Sequence, residues 1–217
     1  MGNFEGTFST GLPFNFNPVN RDMRICGTAA SLAGLEQGIK LKNKVYIDHA
    51  IKRVLLIYSM AMSAGGIPLI YLGDEIATLN DYSFRDDPEK KGDNRWAHRP
   101  YFDWERAEKR LDATTYEGRI YQGFTKMIQV RKSTPALGKG QTLFFDSGNK
   151  HIFSYIRNKR ILILGNFSEF EQTIHKSLLS VYIDVSGEMT ELLTGDQWTL
   201  NEEITLQPYQ YVWLKFA

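Results

Sequence analysis

The sequence predicts an α+β chain: the last strand and helices of an incomplete (β/α)8 barrel, followed by an antiparallel β-sandwich at the C-terminal end. Three observations predict it. Apolar residues recur at helical spacing up to Pro135 and alternate with a period of two after it. A short continuous apolar run, Ile67–Leu72, lies between two amphipathic segments, as a strand covered on both faces does in a parallel sheet. A complete barrel takes roughly 250 residues, more than the 217 of the whole chain. The boundary falls after residue 136, giving a barrel-type part over 1–136 and a sandwich over 137–217.

The opening 27 residues are rich in Gly, Pro, Asn and Phe without a repeat and read as an ordered aromatic loop. Thr28 caps a short helix over Ala29–Gln37. Ile47, Ala50, Ile51, Val54, Leu55, Tyr58, Ala61 and Met62 form one stripe of a helix from about Val45 to Ser63, ended by Gly65-Gly66. The strand Ile67–Leu72 runs into Asp74-Glu75, which on an extended backbone point to opposite sides. Residues 77–115 have no period but many charges and aromatics, the signature of a functional loop. Ile120, Phe124, Met127, Ile128 and Arg131 mark another helix, stopped by Thr134-Pro135. Strands are then predicted at Gln141–Phe145, His151–Arg157, Arg160–Phe167, Phe170–His175, Val181–Val185, Met189–Leu193 and Tyr209–Phe216.

Composition excludes several function classes. Twenty-six Lys+Arg against 25 Asp+Glu give a net charge of +1, too little for a nucleic-acid or anionic-membrane partner. The single cysteine, Cys26, cannot form an internal disulfide and reads as a small core residue. The uncharged stretch Val54–Leu72 is no transmembrane span, because Gly65-Gly66 and Pro68 divide it. The first residues carry no secretory signal, so the cytoplasm is slightly favoured.

Gly66-Ile67-Pro68-Leu69-Ile70-Tyr71-Leu72-Gly73-Asp74-Glu75 resembles the eighth-strand motif of the α-amylase superfamily, glycoside hydrolase family thirteen. Within it the chain is most similar to the amylosucrases, through Pro18–Ala30, Thr78-Leu79-Asn80-Asp81 and Arg95-Trp96-Ala97-His98-Arg99-Pro100, and in the sandwich through Asn166–Glu169 and Thr205–Gln210. The resemblance implies the C-terminal part of a glucosyltransferase that takes glucose from sucrose through a β-glucosyl-enzyme to an α-glucan, with no cofactor. A sucrose hydrolase or glucosyl isomerase is the variant within the family. A non-catalytic carbohydrate-binding or structural module is the alternative from another class.

Retaining glycosidases need two carboxyl groups about 5 Å apart. The family's motifs for these, and for its His-Asp pair, do not occur here; Asp48-His49 is the reverse order and lies in a helix. Catalytic residues are therefore expected from none of this chain, and the chain alone is expected to be inactive. The resemblance assigns substrate-side roles to Arg24, on the acceptor side of the pocket, and to Arg95, whose Asp partner in the family lies on an absent loop, so that Arg95 is expected free. Arg24 has a blander reading, a loop-fixing ion pair with Asp22 or a neighbour. Asp74 and Glu75 either close the strand-to-loop turn or touch the pocket. Phe14, Phe16, Tyr82 and Phe84 either stack on sugar rings or pack their loops. His98 has no second His at metal-ligand spacing, and no metal is expected. Where the family usually has Gly after the Asp-Glu, this chain has Ala77. The apolar Ile67–Leu72 run predicts pairing with the missing barrel polypeptide or self-association.

Overall fold

The computed structural model describes residues 6–184, 187–199 and 202–216. The segment read for a signal (residues 1–5) and Val185 lie outside the described residues. Two compact units emerge, Met1–Val54 with Ile70–Gln122, and Leu55–Leu69 with Gly123–Ala217.

In the first unit, β1 (Leu12–Phe14) and β2 (Arg24–Cys26) form an antiparallel ribbon in which Phe14 lies opposite Arg24 and Leu12 opposite Cys26. Thr28 caps α1 (Ala29–Leu32) through its hydroxyl, which accepts from the Ser31 amide at 3.2 Å. The helix expected to run to Gln37 is broken at Gly34, whose φ of +98° suits a residue without a Cβ, and restarts as α2 (Leu35–Lys40). Asn43 opens α3 (Lys44–Ser63) by accepting from the Val45 and Tyr46 amides. The aperiodic stretch contains three short 3₁₀ turns (Asp74–Ile76, Ser83–Asp86, Asn94–His98), then α4 (Trp104–Glu108) and a fourth 3₁₀ turn at Lys109–Leu111 before α5 (Tyr116–Ser133).

In the second unit, α6 (Pro135–Gly138) precedes an antiparallel six-stranded sheet of order β3-β4-β5-β10-β7-β8 and a two-stranded sheet, β6-β9. The strands are β3 Thr142–Phe144, β4 Ile152–Arg157, β5 Ile161–Asn166, β6 Gln172–His175, β7 Glu188–Glu191, β8 Gln197–Thr199, β9 Glu203–Leu206 and β10 Tyr211–Phe216; α7 (Lys176–Leu179) follows β6. The alternation places Ile152, Ile156, Leu162, Leu164, Val212 and Leu214 of the large sheet in one core with Ile174, Ile204 and Leu206 of the small one. The opposite face of β4 carries Tyr155 and Arg157 to the end of α3. There the Tyr155 hydroxyl meets the Ser63 hydroxyl at 2.5 Å, and the Arg157 guanidinium donates to the Lys139 carbonyl at 2.9 Å and to the Thr142 hydroxyl.

Three expectations are corrected. Ile67–Leu72 is not a buried strand: the segment has no regular structure, and Ile67 is 98% and Leu69 79% exposed. A parallel strand gains its hydrogen bonds only from neighbours, and no described strand lies beside this run. Val181–Asp184 turns instead of extending, because α7 redirects the chain and Leu179 and Ile183 reach the core from it. Gln197–Thr199 and Glu203–Leu206 are strands that the pattern missed; β8 is too short to show a period, and β9 presents only Ile204 and Leu206 inward.

Burial pushes the Tyr155 phenol up to about 12, and burial with the nearby Glu191 carboxylate does the same for Tyr211. An unfolded tyrosine titrates near 10. The folded state thus holds both protons more tightly, and their contribution is complete below about pH 10 and lost as pH rises toward 12. Urea melts should show stability falling between about pH 10 and pH 12, with a shallower fall in Tyr211→Phe.

Candidate functional site

The ribbon organises the site. Residues directly opposite on an antiparallel pair share a face, so Phe14 and Arg24 stand side by side. The 3₁₀ turn Asn94–His98 is tied to the ribbon by the Asn94 side-chain amide, which donates to the Pro13 carbonyl at 2.7 Å. It lays the Arg95 guanidinium over the Phe14 ring, 4.9 Å from its centroid. Arg95 lies over the Phe14 ring and Arg24 stands opposite Phe14 on the ribbon, so two arginines far apart in sequence are brought to one residue. Arg24 is exposed, and among the described residues it shows no ion pair; the Asp22 carboxylate accepts from the Met23 amide.

Arg95 is not free, as expected, but paired with Asp93, a residue the sequence reading passed over. Its Nε and Nη2 donate to that carboxylate at 2.7–2.9 Å, while the Arg95 amide also donates to Oδ1 at 2.9 Å. The spacing Asp-x-Arg at a helix start was the available signal: a capping carboxylate two residues before an Arg can satisfy both amide and guanidinium. Hydrogen bonds from the Arg95 side chain and amide hold the Asp93 carboxyl at about 2. Replacing it by Asn should release the guanidinium from Phe14. We expect Asp93→Asn to broaden Arg95 side-chain NMR signals, and the wild-type pairing to persist on acidification until pH falls toward about 2.

A second tie runs through Asn80. Its side-chain carbonyl accepts from the Thr28 amide at 2.8 Å, its amide donates to the Thr10 carbonyl at 3.0 Å, and its backbone N–H donates to the Ser31 hydroxyl at 2.9 Å. Tyr82 receives a further bond from Asn80 and donates to Glu36 at 2.8 Å. Asp81 donates its amide to the Ala97 carbonyl at 2.9 Å. The three segments 18–30, 78–81 and 95–100 thus converge in one place.

Other candidates have structural surroundings. Phe84 is buried, so it packs its loop, whereas Phe16 is exposed. Asp74 and Glu75 lie on a 3₁₀ turn and not at a strand end; Asp74 is buried, and the Glu75 carboxylate folds back to accept from the Gly73 amide at 2.7 Å. Ala77 sits at φ +55°, the left-handed region where a Gly is unstrained and an alanine is not. Burial raises the Cys26 thiol, with the Asp93 carboxylate adding to it, and burial lowers His98, helped by the Arg99 charge. Among the described residues no cluster of three or more His, Cys, Asp or Glu converges as a metal site would require, and no helix is long and apolar enough to cross a membrane.

Comparison with known proteins adds the following. No protein-family model matches the chain. Over 164 residues, 75% of the chain, it is 25% identical to the glucosylglycerate phosphorylase of Escherichia coli (strain K12), of which the match covers 28%. Among solved structures, AmyP in complex with maltotriose superposes with a TM-score of 0.60 at 19% identity, covering 77% of this chain and 35% of that one. The α-amylase of Geobacillus thermoleovorans complexed with acarbose gives 0.54 at 21% identity, over 79% and 35%. The chain shares the fold of the part of these two structures that it covers. It spans between 28% and 35% of the length of these proteins, and the barrel strand predicted at Ile67–Leu72 is not formed in it.

Proposed function

We propose that this chain is the C-terminal part of an α-amylase-type glucosyl-transferring enzyme, amylosucrase-like in its resemblance, and that it supplies pocket wall without catalytic groups. The observation that carries this reading is that Arg24 and Arg95, from two of the segments that carry the resemblance, both stand beside Phe14. An aromatic face beside guanidinium donors suits a pyranose ring, whose C–H face stacks while its hydroxyls accept hydrogen bonds. In the complete enzyme a carboxylate from elsewhere would attack the anomeric carbon of sucrose to form the β-glucosyl-enzyme, while the acid/base carboxyl gives its proton to the departing fructose oxygen. An α-glucan hydroxyl would then take the glucose, its proton passing to the acid/base carboxylate.

A second reading follows from the similarity to a phosphorylase: the glucosyl group passes to inorganic phosphate instead of a glucan. Exposed Arg24 suits an anionic acceptor as well as a hydroxyl one. In either reading the exposed Ile67 and Leu69 belong against the rest of such an enzyme or a second copy of this chain.

Calorimetric titration tests the reading. Only part of the pocket is here, so sucrose should bind with millimolar affinity or worse, the rough scale of a few exposed hydrogen bonds. Micromolar sucrose binding abolished by Arg24→Ala would favour a self-sufficient carbohydrate-binding module instead.

A further inference from the structure

We infer that a cavity beside the first turns of α3 and α5 binds a small anionic sugar, a hexose carrying a phosphate or a carboxylate. The cavity, about 470 Å³, is lined by Lys44, Ile47 and Asp48 of α3, by Lys109, and by Thr114 to Glu117 with Arg119 at the start of α5. It shares no residue with the Arg24–Arg95 cluster and does not depend on the function proposed above. Its volume is in the range of small-ligand sites.

The charge balance of the lining selects the ligand. Both acids are already engaged: Asp48 pairs with Arg119 at 2.5 Å, and Glu117, 2% exposed, pairs with Arg106 at 3.2 Å. Lys44 and Lys109 have no ion pair among the described residues, and both are exposed. The first turn of α3 holds no acidic residue to offset Lys44. Two exposed lysines in the lining of one cavity whose acids are already paired leave a positive charge that a compact oxyanion would neutralise. At the two helix starts Asn43 accepts from the Val45 and Tyr46 amides and Thr115 from the Gly118 amide, so the lining side chains carry most of the recognition.

The remaining lining suits a polyol. The Asp48 carboxylate is half exposed beside Arg119, so one acceptor and one planar donor stand together, the arrangement that matches adjacent sugar hydroxyls. The Tyr116 hydroxyl accepts from Arg106 at 3.2 Å, which leaves its own proton to donate. Its ring and Ile47 provide the apolar surface on which a hexose C–H face can rest.

The test uses the chain as it exists, titrated calorimetrically with glucose 6-phosphate, glucuronate, glucose and inorganic phosphate, with amide chemical shifts of Thr114 to Arg119 as a second readout. The inference predicts saturable binding of one or both anionic sugars, about tenfold or more tighter than glucose or inorganic phosphate. It also predicts that the Lys44→Met, Lys109→Met double variant loses about tenfold or more in affinity while keeping its thermal midpoint, both lysines being exposed. The tighter of the two acids identifies the anion. No saturation at millimolar concentrations, equal affinity for glucose or for phosphate alone, shifts confined to other residues, or unchanged binding in the double variant would each overturn it.

Discussion

Gly118→Ala is expected to destabilise the chain by about 3 kcal/mol, although alanine is the better helix former by about 1 kcal/mol. Gly118 lies in the first turns of α5, and a Cβ there would sit 1.9 Å from the Asp112 carbonyl oxygen and 2.5 Å from its carbon. Both are backbone atoms. The Asp112 carbonyl is itself held by the Thr115 hydroxyl at 2.8 Å and the Thr115 amide at 3.1 Å, so it cannot move aside without releasing the helix cap. For a chain of this size such a loss lowers the thermal midpoint by roughly 6–12 °C. Gly138→Ala is the control: the nearest atom to its Cβ is 3.7 Å away and its φ is not positive, so the midpoint should hardly change. Differential scanning calorimetry of the two variants decides whether backbone contact or helix propensity governs.

What was legible in the sequence was what local patterns record. The stripe from Ile47 to Met62 gave α3 to within a residue at each end, since Asn43 and Gly65-Gly66 punctuate it. The alternating residues of β4, β5 and β10 gave most of the large sheet. Ile67–Leu72 was misread for a physical reason. An apolar run records the surroundings a segment is made for, and here the chain does not hold them, so the same residues stand exposed. In the site, Arg24 and Arg95 could be nominated, but their meeting across Phe14 depends on the ribbon register and on Asn94, which no local pattern reports. The Asp93 clamp is the opposite case: its signal is local, a carboxylate two residues before Arg95 at a helix start.

The second large effect is catalytic. Glucosyl transfer with retention needs a nucleophilic carboxylate and an acid/base carboxyl about 5 Å apart, and losing either typically costs several orders of magnitude in rate. Here the adjacent acids Asp74 and Glu75 lie on one turn, Asp74 buried and Glu75 turned back onto the Gly73 amide, where they do not face one another across a space for a bound sugar. Sucrose hydrolysis, transfer to glycogen and phosphorolysis should therefore be silent together. Fructose release from sucrose, measured with purified chain plus glycogen and again plus phosphate, tests this most directly. The account predicts no release above background in either mixture, and release once a polypeptide carrying the two missing carboxylate motifs is added. Turnover by the chain alone that disappears in Asp74→Asn or Glu75→Gln would contradict it.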